Sequence, residues 1–318
     1  MQQTFGSVLQ GRLAPLIQTF APHMPVDSVT TFSEHKALLF SIAYRMLGTV
    51  MDAEDMVQET FLRWQNCRHD QVESPKAWLS TVVTRLCINH LKSARVQRET
   101  YVGPWLPEPL IAGLGFDPAE NAKLSDSLSL AFLVLLESLT PTERAVFVLR
   151  EVFNYEFSEI APIVEKTEEN CRQILARARR SVDERRPRFD ASPEEAERLI
   201  QEFEQAVQTG NLDALLSLLS RDVVLVSDGG GKARAVLRPI MGADPVARLL
   251  VGAARKFGSK TQVLRHTEVN GLPGTVSFEG DRTLRVIAYG IRDGRINSLF
   301  IITNPEKLRH ISRSSLLS

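Results

Sequence analysis

Apolar residues recur every three to four positions from about Phe32 to Arg98. Leu38, Ile42 and Met46 are spaced by four, as are Leu39, Ala43 and Leu47, which gives a helix one broad apolar face. Gly48 ends that helix. Thr49, with Asp52 three residues on, predicts a capping box that opens a second helix with Val57, Phe61 and Trp64 as its buried stripe. Ser74-Pro75 supplies an N-cap and a proline at the first helical position of a third. That helix buries Trp78, Leu79, Val82, Val83, Leu86 and Leu91. Pro104, Trp105, Pro107, Pro109, Gly113, Gly115 and Pro118 then fall close together, and an extended linker is expected.

Helical spacing returns at about Ser125, with Leu128, Ala131, Leu135 and Leu139 on one face. Thr140-Pro141-Thr142-Glu143 is a second start signal. A short helix over Ser158–Val164, a turn at Glu165-Lys166 and a longer helix capped by Thr167 follow, the order of a helix-turn-helix. Two residues depart from a clean motif. Pro162 lies inside the short helix, and Glu165 stands where a positive φ would suit glycine better. Pro187 ends the block, and Ser192-Pro193-Glu194-Glu195 starts the next helix, which Gly210 stops.

Beyond it the period changes. A helix over Leu212–Leu219 leads to a strand at Val223–Val226, and another helix runs from about Ala243 to Phe257. Val263–Val269, Thr275–Phe278, Thr283–Ile291 and Ile296–Ile302 alternate with period two, and Asp293-Gly294 predicts a tight hairpin turn. Helices first and an antiparallel meander last predict an α+β cone. The chain therefore divides into an extension (1–28), an all-α module (29–98), a proline-rich linker (99–124), an all-α helix-turn-helix module (125–188) and an α+β domain (189–318).

Charge sharpens this outline. The 38 basic and 38 acidic residues balance, so any contact with nucleic acid must come from local patches. One such patch is clear: from Arg172 to Arg188 seven arginines face only Asp183 and Glu184. In the helix after the turn, Ile174, Leu175 and Ala178 would pack inward. Asn170, Arg172, Gln173, Arg177 and Arg180 would point outward, as base-edge and phosphate contacts require. The competing reading is an arginine-rich solvated helix; the short helix and turn in front favour DNA. In the first module Thr81, Arg85, Asn89 and Lys92 share a face that Arg95 and Arg98 extend, while Asp55, Glu59 and Leu62 form an acidic and apolar ridge suited to a protein partner. On spacing alone, an ordinary amphipathic bundle with solvated charges is the favoured reading of that module.

Cys67, Cys87 and Cys171 are scattered and form no C-x-x-C pair, which speaks against a disulfide framework or zinc site and fits a reducing cytoplasm. No apolar run approaches the roughly 20 residues of a membrane span. Neither a cofactor nor a metal is expected.

The segment Asp52-Ala-Glu-Asp-Met-Val-Gln-Glu-Thr-Phe61 resembles the core-polymerase-binding helix of the sigma-70 family. Pro75-Lys-Ala-Trp-Leu79 through Asn89-His-Leu-Lys92 resembles the following −10-reading region, and Leu139-Thr-Pro-Thr-Glu-Arg144 with Ile160-Ala161 resembles the −35-reading region 4. No third sigma domain fits between them, as in the short extracytoplasmic function (ECF) class. Trp105-Leu-Pro-Glu-Pro109, Asp228-Gly-Gly-Gly-Lys232 and Asn304-Pro-Glu-Lys-Leu308 resemble the signatures of its SigJ-like branch, which carries a fused SnoaL-like domain; Glu306 stands where that branch usually has aspartate.

The resemblance implies a sigma factor, not an enzyme, whose partners are promoter DNA and the polymerase core through its β′ clamp helices and β flap. It places Asp55, Gln58, Glu59 and Phe61 at the clamp. Arg85, Asn89, Lys92 and Arg95 lie in the −10 region, with Arg68 in the Arg68–Glu73 loop near a flipped base. Asn170, Arg172, Gln173, Arg177 and Arg180 meet the −35 duplex. Trp105, Pro107, Asp228, Gly230, Lys232, Asn304, Pro305 and Lys307 form an interdomain regulatory contact. The fused domain would replace a separate anti-sigma protein and hold a small ligand the sequence does not identify. Two alternatives remain at this point: a DNA-binding regulator with a ligand-sensing tail that never joins polymerase, and a SnoaL-like enzyme, with Asp228, His266 and Asp281 as acid/base candidates, carrying a helical docking module.

Overall fold

A computed structural model of the chain describes residues 26–98, 101–112, 128–183, 191–258 and 261–316. Helices α1 (Val26–Leu47), α2 (Val50–Gln65) and α3 (Pro75–Arg98) make the first module. The helix-turn-helix module contains α4 (Leu130–Leu136), α5 (Pro141–Phe147), a π-helical turn over Val148–Val152, α6 (Phe157–Val164) and α7 (Glu168–Asp183). The capping box at Thr140 and Glu143 forms as expected, with Pro141 in the first turn. Thr49 does not cap α2. Its hydroxyl donates to Asp52 instead, and the first amide of α2, Val50 N–H, is bonded by the Glu108 carboxylate at 2.8 Å from the linker. A negative charge at a helix N-terminus is favourable there.

The two helical modules are not separate bodies. Leu39, Ile42, Met46, Leu79 and Val83 of the first join Phe132, Val146, Phe147, Ile160 and Ile174 of the second in one hydrophobic core. Three polar links cross the same seam. Arg144, 3% exposed, donates to the Met46 carbonyl at 2.7 Å; Ser80 and Tyr155 hydroxyls share a bond of 2.6 Å; and Arg85 reaches the carbonyls of Pro162 (2.7 Å) and Ile163 (3.1 Å).

Helices α8 (Pro193–Thr209) and α9 (Leu212–Leu218), strands β1 (Leu219–Asp228) and β2 (Ile240–Met241), helix α10 (Ala243–Phe257) and strands β3 (Val263–Val269), β4 (Leu272–Glu279), β5 (Arg282–Arg292) and β6 (Arg295–Ile302) form the third part. Among the described residues the strands build one sheet in the order β2-β1-β6-β5-β4-β3. The meander β3 to β6 is antiparallel as the alternation predicts. Strand β1, however, pairs in parallel with β6, from Val224 opposite Ser298 to Asp228 opposite Ile302. That pairing carries the end of β1 beside the end of β6 and so joins two distant motifs.

Both faces of the sheet are covered. Leu225, Ile287, Tyr289, Ile291 and Leu299 pack on α8 and α10. Val276, Phe278, Val286, Ala288, Phe300 and Ile302 pack instead on Leu106 and Ile111 of the linker and on Leu130 and Ala131 of α4. The linker is extended, but it lies as a strap between the helical modules and the sheet rather than as a spacer.

Candidate nucleic-acid interface and interdomain clasp

The αL conformation at Glu165 (φ 56°, ψ 48°) makes the sharp turn between α6 and α7. Pro162 is the sixth residue of α6 and gives no N–H to the Ser158 carbonyl one turn before it. Cys171, Ile174, Leu175, Ala178 and Val182 bury one face of α7. Asn170, Gln173, Arg177 and Arg180 are exposed; the 3.6-residue period places Gln173 and Arg180 opposite that face, with Asn170 and Arg177 toward one side of it. This arrangement presents amide and guanidinium groups to a groove-sized partner. Arg172 is exposed too but lies on the flank, held by Glu168 at 2.9 Å with its guanidinium carbon 5.0 Å from the Phe157 ring centre. Arg179 is tied to Glu151 at 2.7 Å. Arg185, Arg186 and Arg188 lie outside the described residues.

In the first module Asn89, Lys92 and Arg68 are exposed, whereas the Arg95 side chain lies outside the described residues. Arg85 is committed elsewhere: besides the Pro162 and Ile163 carbonyls it faces Glu165 at 3.5 Å. It therefore satisfies carbonyls at the end of α6, which no later turn of that helix can bond. Arg85, which the sequence places in the basic stripe, is thus occupied by the helix-turn-helix. Arg85→Ala is expected to cost about 1 kcal/mol, because the guanidinium is partly solvated. It should also lengthen the distance between fluorophores on the two modules; an unchanged distance distribution would mean that Arg85 does not hold them.

On α2, Asp55 and Gln58 are exposed beside Met51 and Leu62, 58% and 47% exposed. Glu59 is paired with Arg63 at 2.8 Å. Phe61 is not part of this ridge: its ring lies 4.8 Å from that of Phe32 and packs on the core.

The strap brings most of the sequence-derived regulatory residues together. Asp228, 0% exposed, ends β1. Its carboxylate accepts from Tyr101 Oη (2.6 Å), Leu106 N–H (2.8 Å), Gly230 N–H (3.0 Å) and Lys307 Nζ (2.7 Å). Lys307 also donates to the Leu106 carbonyl and lies 4.2 Å from the centre of the Trp105 ring. Burial, and then Asp228, push the Tyr101 phenol above its ordinary range. It stays a neutral donor at physiological pH, and its contribution fades only as pH rises past the ordinary tyrosine value of about 10. Asn304 donates to the Tyr101 hydroxyl at 3.0 Å. Gly230 has φ +57°, and a Cβ there would stand 2.2 Å from Asn304 Nδ2, so glycine is required twice over. Lys232 pairs with Glu306 on the rim. Pro107 is buried in the strap, and Pro305 follows Asn304 at the clasp.

Sequence reasoning missed the second junction. Asn270, in the turn between β3 and β4, has φ 52° and is 3% exposed. Its backbone N–H donates to the Leu110 carbonyl at 2.8 Å, and its side-chain oxygen accepts from Leu110 N–H at 2.9 Å. Its amide nitrogen donates to Tyr44 Oη (2.8 Å) and the Leu128 carbonyl (3.0 Å). Glu108, inside the Trp105–Pro109 signature but not singled out there, holds His310 at 2.9 Å besides α2. The Asn270-Gly271 pair is a hairpin signal, but nothing local in it names partners in α1.

Comparison with known proteins decides the family. The Sigma-70 region 2 model matches residues 31–96, and the Sigma-70, region 4 model matches residues 129–182. Over 292 residues, 88% of this chain and 92% of the relative, the sequence is 37% identical to the ECF RNA polymerase sigma factor SigJ of Mycobacterium tuberculosis (strain ATCC 25618 / H37Rv). The chain belongs to the ECF sigma factors. A probable ECF RNA polymerase sigma factor SigI from the same strain is 32% identical over 90% of this chain and 96% of its own length. The crystal structure of the M. tuberculosis ECF sigma factor SigJ superposes with a TM-score of 0.71 at 34% identity, covering 89% of this chain and 99% of that one. The two helical modules of this ECF sigma factor thus contain regions 2 and 4, and the α+β domain is fused behind them.

The acid/base candidates of its fused domain do not converge. Asp228 is the centre of the clasp. His266 pairs with Glu204 at 3.0 Å, and Asp281 accepts from Ser314 N–H at 2.9 Å. Among the described residues no group of three or more His, Cys, Asp or Glu is placed to hold a metal, and no helix is long and apolar enough to cross a membrane.

Proposed function

We propose that this ECF sigma factor directs polymerase to its promoters through regions 2 and 4, and that its fused domain regulates that activity in cis. The observation that carries the regulatory part is the Asp228 clasp. A fully buried carboxylate of the fused domain binds the peptide that connects the two DNA-reading regions. Opening the clasp frees the strap, and the strap's Glu108 and Leu110 are also what α2 and the β3–β4 turn hold. The linker between regions 2 and 4 can then change length only when the fused domain lets go. That is the work a separate anti-sigma protein would do, and a small ligand of the cone would act by shifting the same equilibrium.

In this reading Asn170, Gln173, Arg177 and Arg180 meet the −35 duplex, with Arg172 at its edge. Arg68, Asn89, Lys92 and Arg95 serve the −10 element, joined by Arg85 once regions 2 and 4 part. Asp55, Gln58 and Glu59, with Met51 and Leu62, dock on the clamp helices of β′, while Phe61 supports that ridge from beneath; region 4 takes the β flap. Trp105, Pro107, Asp228, Gly230, Lys232, Asn304, Pro305 and Lys307 make the regulatory contact.

Two measurements test this. Core polymerase should retain the full-length chain in a pull-down and start promoter-specific transcription with it. Tyr101→Phe, which removes one donor to Asp228 while keeping the ring, should change promoter-specific output at least threefold without changing retention by core. Equal output from both proteins would defeat regulation through the clasp, and failure of core to bind would defeat the sigma reading itself.

A further inference from the structure

We propose that His310 is a proton-dependent latch: doubly protonated, it fastens the C-terminal tail of the fused domain to the strap, and loss of one proton releases that hold. The latch concerns the closed strap itself; its effect on transcription rests on the reading that the fused domain regulates in cis. His310 follows the Asn304–Leu308 motif in the tail behind β6. Its Nδ1 lies 2.9 Å from a carboxylate oxygen of Glu108, and its Nε2 lies 2.9 Å from the Pro109 carbonyl oxygen. A carboxylate and a carbonyl only accept. A neutral imidazole has one N–H and can bond one of them, which leaves its bare nitrogen facing the oxygen of the other. Only the imidazolium, with an N–H on each nitrogen, bonds both.

The surroundings make that proton matter. The Glu108 side chain is 5% exposed and that of His310 27%. The other Glu108 oxygen takes Val50 N–H at the start of α2. Among the described residues, His310 is the only cation paired with Glu108. A buried carboxylate without a cation is costly, so the two charges support each other. Neighbouring charges have their own partners. On the tail, Lys307 is held by Asp228 at 2.7 Å, and Arg309 faces Glu306 at 3.6 Å, which Lys232 also holds. Beside the tail, Asp281 accepts from Ser314 N–H. On the α1–α2 side, Asp52 takes the Thr49 hydroxyl and lies 3.7 Å from His90. Burial first, with the charge of Glu108 adding to it, pushes the Tyr44 phenol above its ordinary range, so the hydroxyl that donates to the Glu108 carbonyl stays neutral. The tail thus grips the strap twice, through a lysine and through a histidine. Of these two residue types only histidine ordinarily changes charge between about pH 5 and 8. The second grip is therefore present at the acid end and fades as pH rises.

Nitrogen-15 labelling of histidine in the full-length chain reads the ring directly. Of the six histidines, His310 is the one whose signal is missing from His310→Gln. Both its nitrogens should show the resonance of an N–H at about pH 6, and one should lose it by about pH 8. The Glu108 amide, bonded to the Gly48 carbonyl, and the Leu110 amide, bonded to Asn270, report the strap. Their protection, taken as a ratio to intrinsic exchange, should fall about tenfold over that range. His310→Gln, which has no charge to lose, should give low protection at both ends. His310→Arg, with a fixed charge and a planar fork of donors, should give high protection at both. A ring that keeps one protonation state throughout overturns the latch. So does wild-type protection that ignores pH, or that changes equally in His310→Gln. Promoter-specific transcription with core polymerase, normalised to His310→Arg at each pH, should change about threefold between the two ends. If protection follows the ring while transcription does not, the latch stands and regulation in cis falls. If Tyr101→Phe alters transcription while protection is indifferent to His310, regulation stands and the latch is wrong.

Discussion

Asp228→Ala should destabilise the full-length protein by about 3–5 kcal/mol, the usual cost of leaving one partner of a buried ion pair without the other. Lys307 is 8% exposed and would keep its charge against Trp105 and the Leu106 carbonyl without the Asp228 carboxylate. Leu106 N–H and the Tyr101 hydroxyl lose their acceptor at the same time. Urea unfolding measures the total. Amide exchange at Leu106 should locate the effect in the strap, rising well before exchange in β5. The double substitution Asp228→Ala with Lys307→Met should recover much of the loss, because it removes the stranded charge. If the single and double variants are equally unstable, the ion pair is not what makes Asp228 costly to lose. If Asp228→Ala leaves stability unchanged, the clasp is not closed in solution, and regulation through it fails with it.

The secondary structure was largely legible because its signals are local. Thr140-Pro141-Thr142-Glu143 makes its capping box, and Asp293-Gly294 turns with positive φ at both residues, as a two-residue hairpin requires. The outward face of α7 also followed from spacing alone. What was not legible is what the buried faces pack against. The period of α1 and α5 announces an apolar stripe, but the same stripe serves a private core or a shared one. Only the fold shows that regions 2 and 4 share theirs. Strand β5 held a clue that alternation hides: Val286 through Ile291 are all buried, a continuous run of the kind that marks a sheet covered on both faces. Its second cover is the strap, and a proline-rich linker offers no periodicity to pair with it.

The polar residues of the interface were harder still. Asp228 was found through its motif; Glu108 lies within the Trp105–Pro109 signature with nothing local to mark its role, and Asn270 looks like an ordinary turn residue. Their partners lie 58 and 226 positions away in the chain, at Val50 and Tyr44. Buried polar groups are specified by such distant partners, because a group with none would cost too much to bury. Arg85 shows the converse. Its type and spacing fit a nucleic-acid stripe, and the closed structure uses the same guanidinium to finish α6. One arginine cannot serve both at once, so the −10 role proposed for Arg85 requires regions 2 and 4 to part.

The Asn270→Ala protein should lose about 3–4 kcal/mol, more than any other single change at the second junction. The amide of Asn270 is shared by the strap, α1 and the start of α4, so its removal strands Leu110 N–H, the Leu128 carbonyl and a Tyr44 bond together. Each buried group so abandoned costs about 1–3 kcal/mol before relaxation. Alanine at φ 52° adds about 1 kcal/mol of backbone strain. Asn270→Gly separates the two causes, since glycine accepts the turn but carries no amide. It should recover the strain and nothing more, leaving most of the loss in place. Tyr44 retains its bond to the Glu108 carbonyl at 2.6 Å, so α1 itself should stay folded while the strap loosens. Chemical denaturation with amide exchange at Leu110 and Ala112 reads both effects. Full recovery in Asn270→Gly would show that the backbone alone matters there, and that the amide does not join the fused domain to the DNA-reading regions.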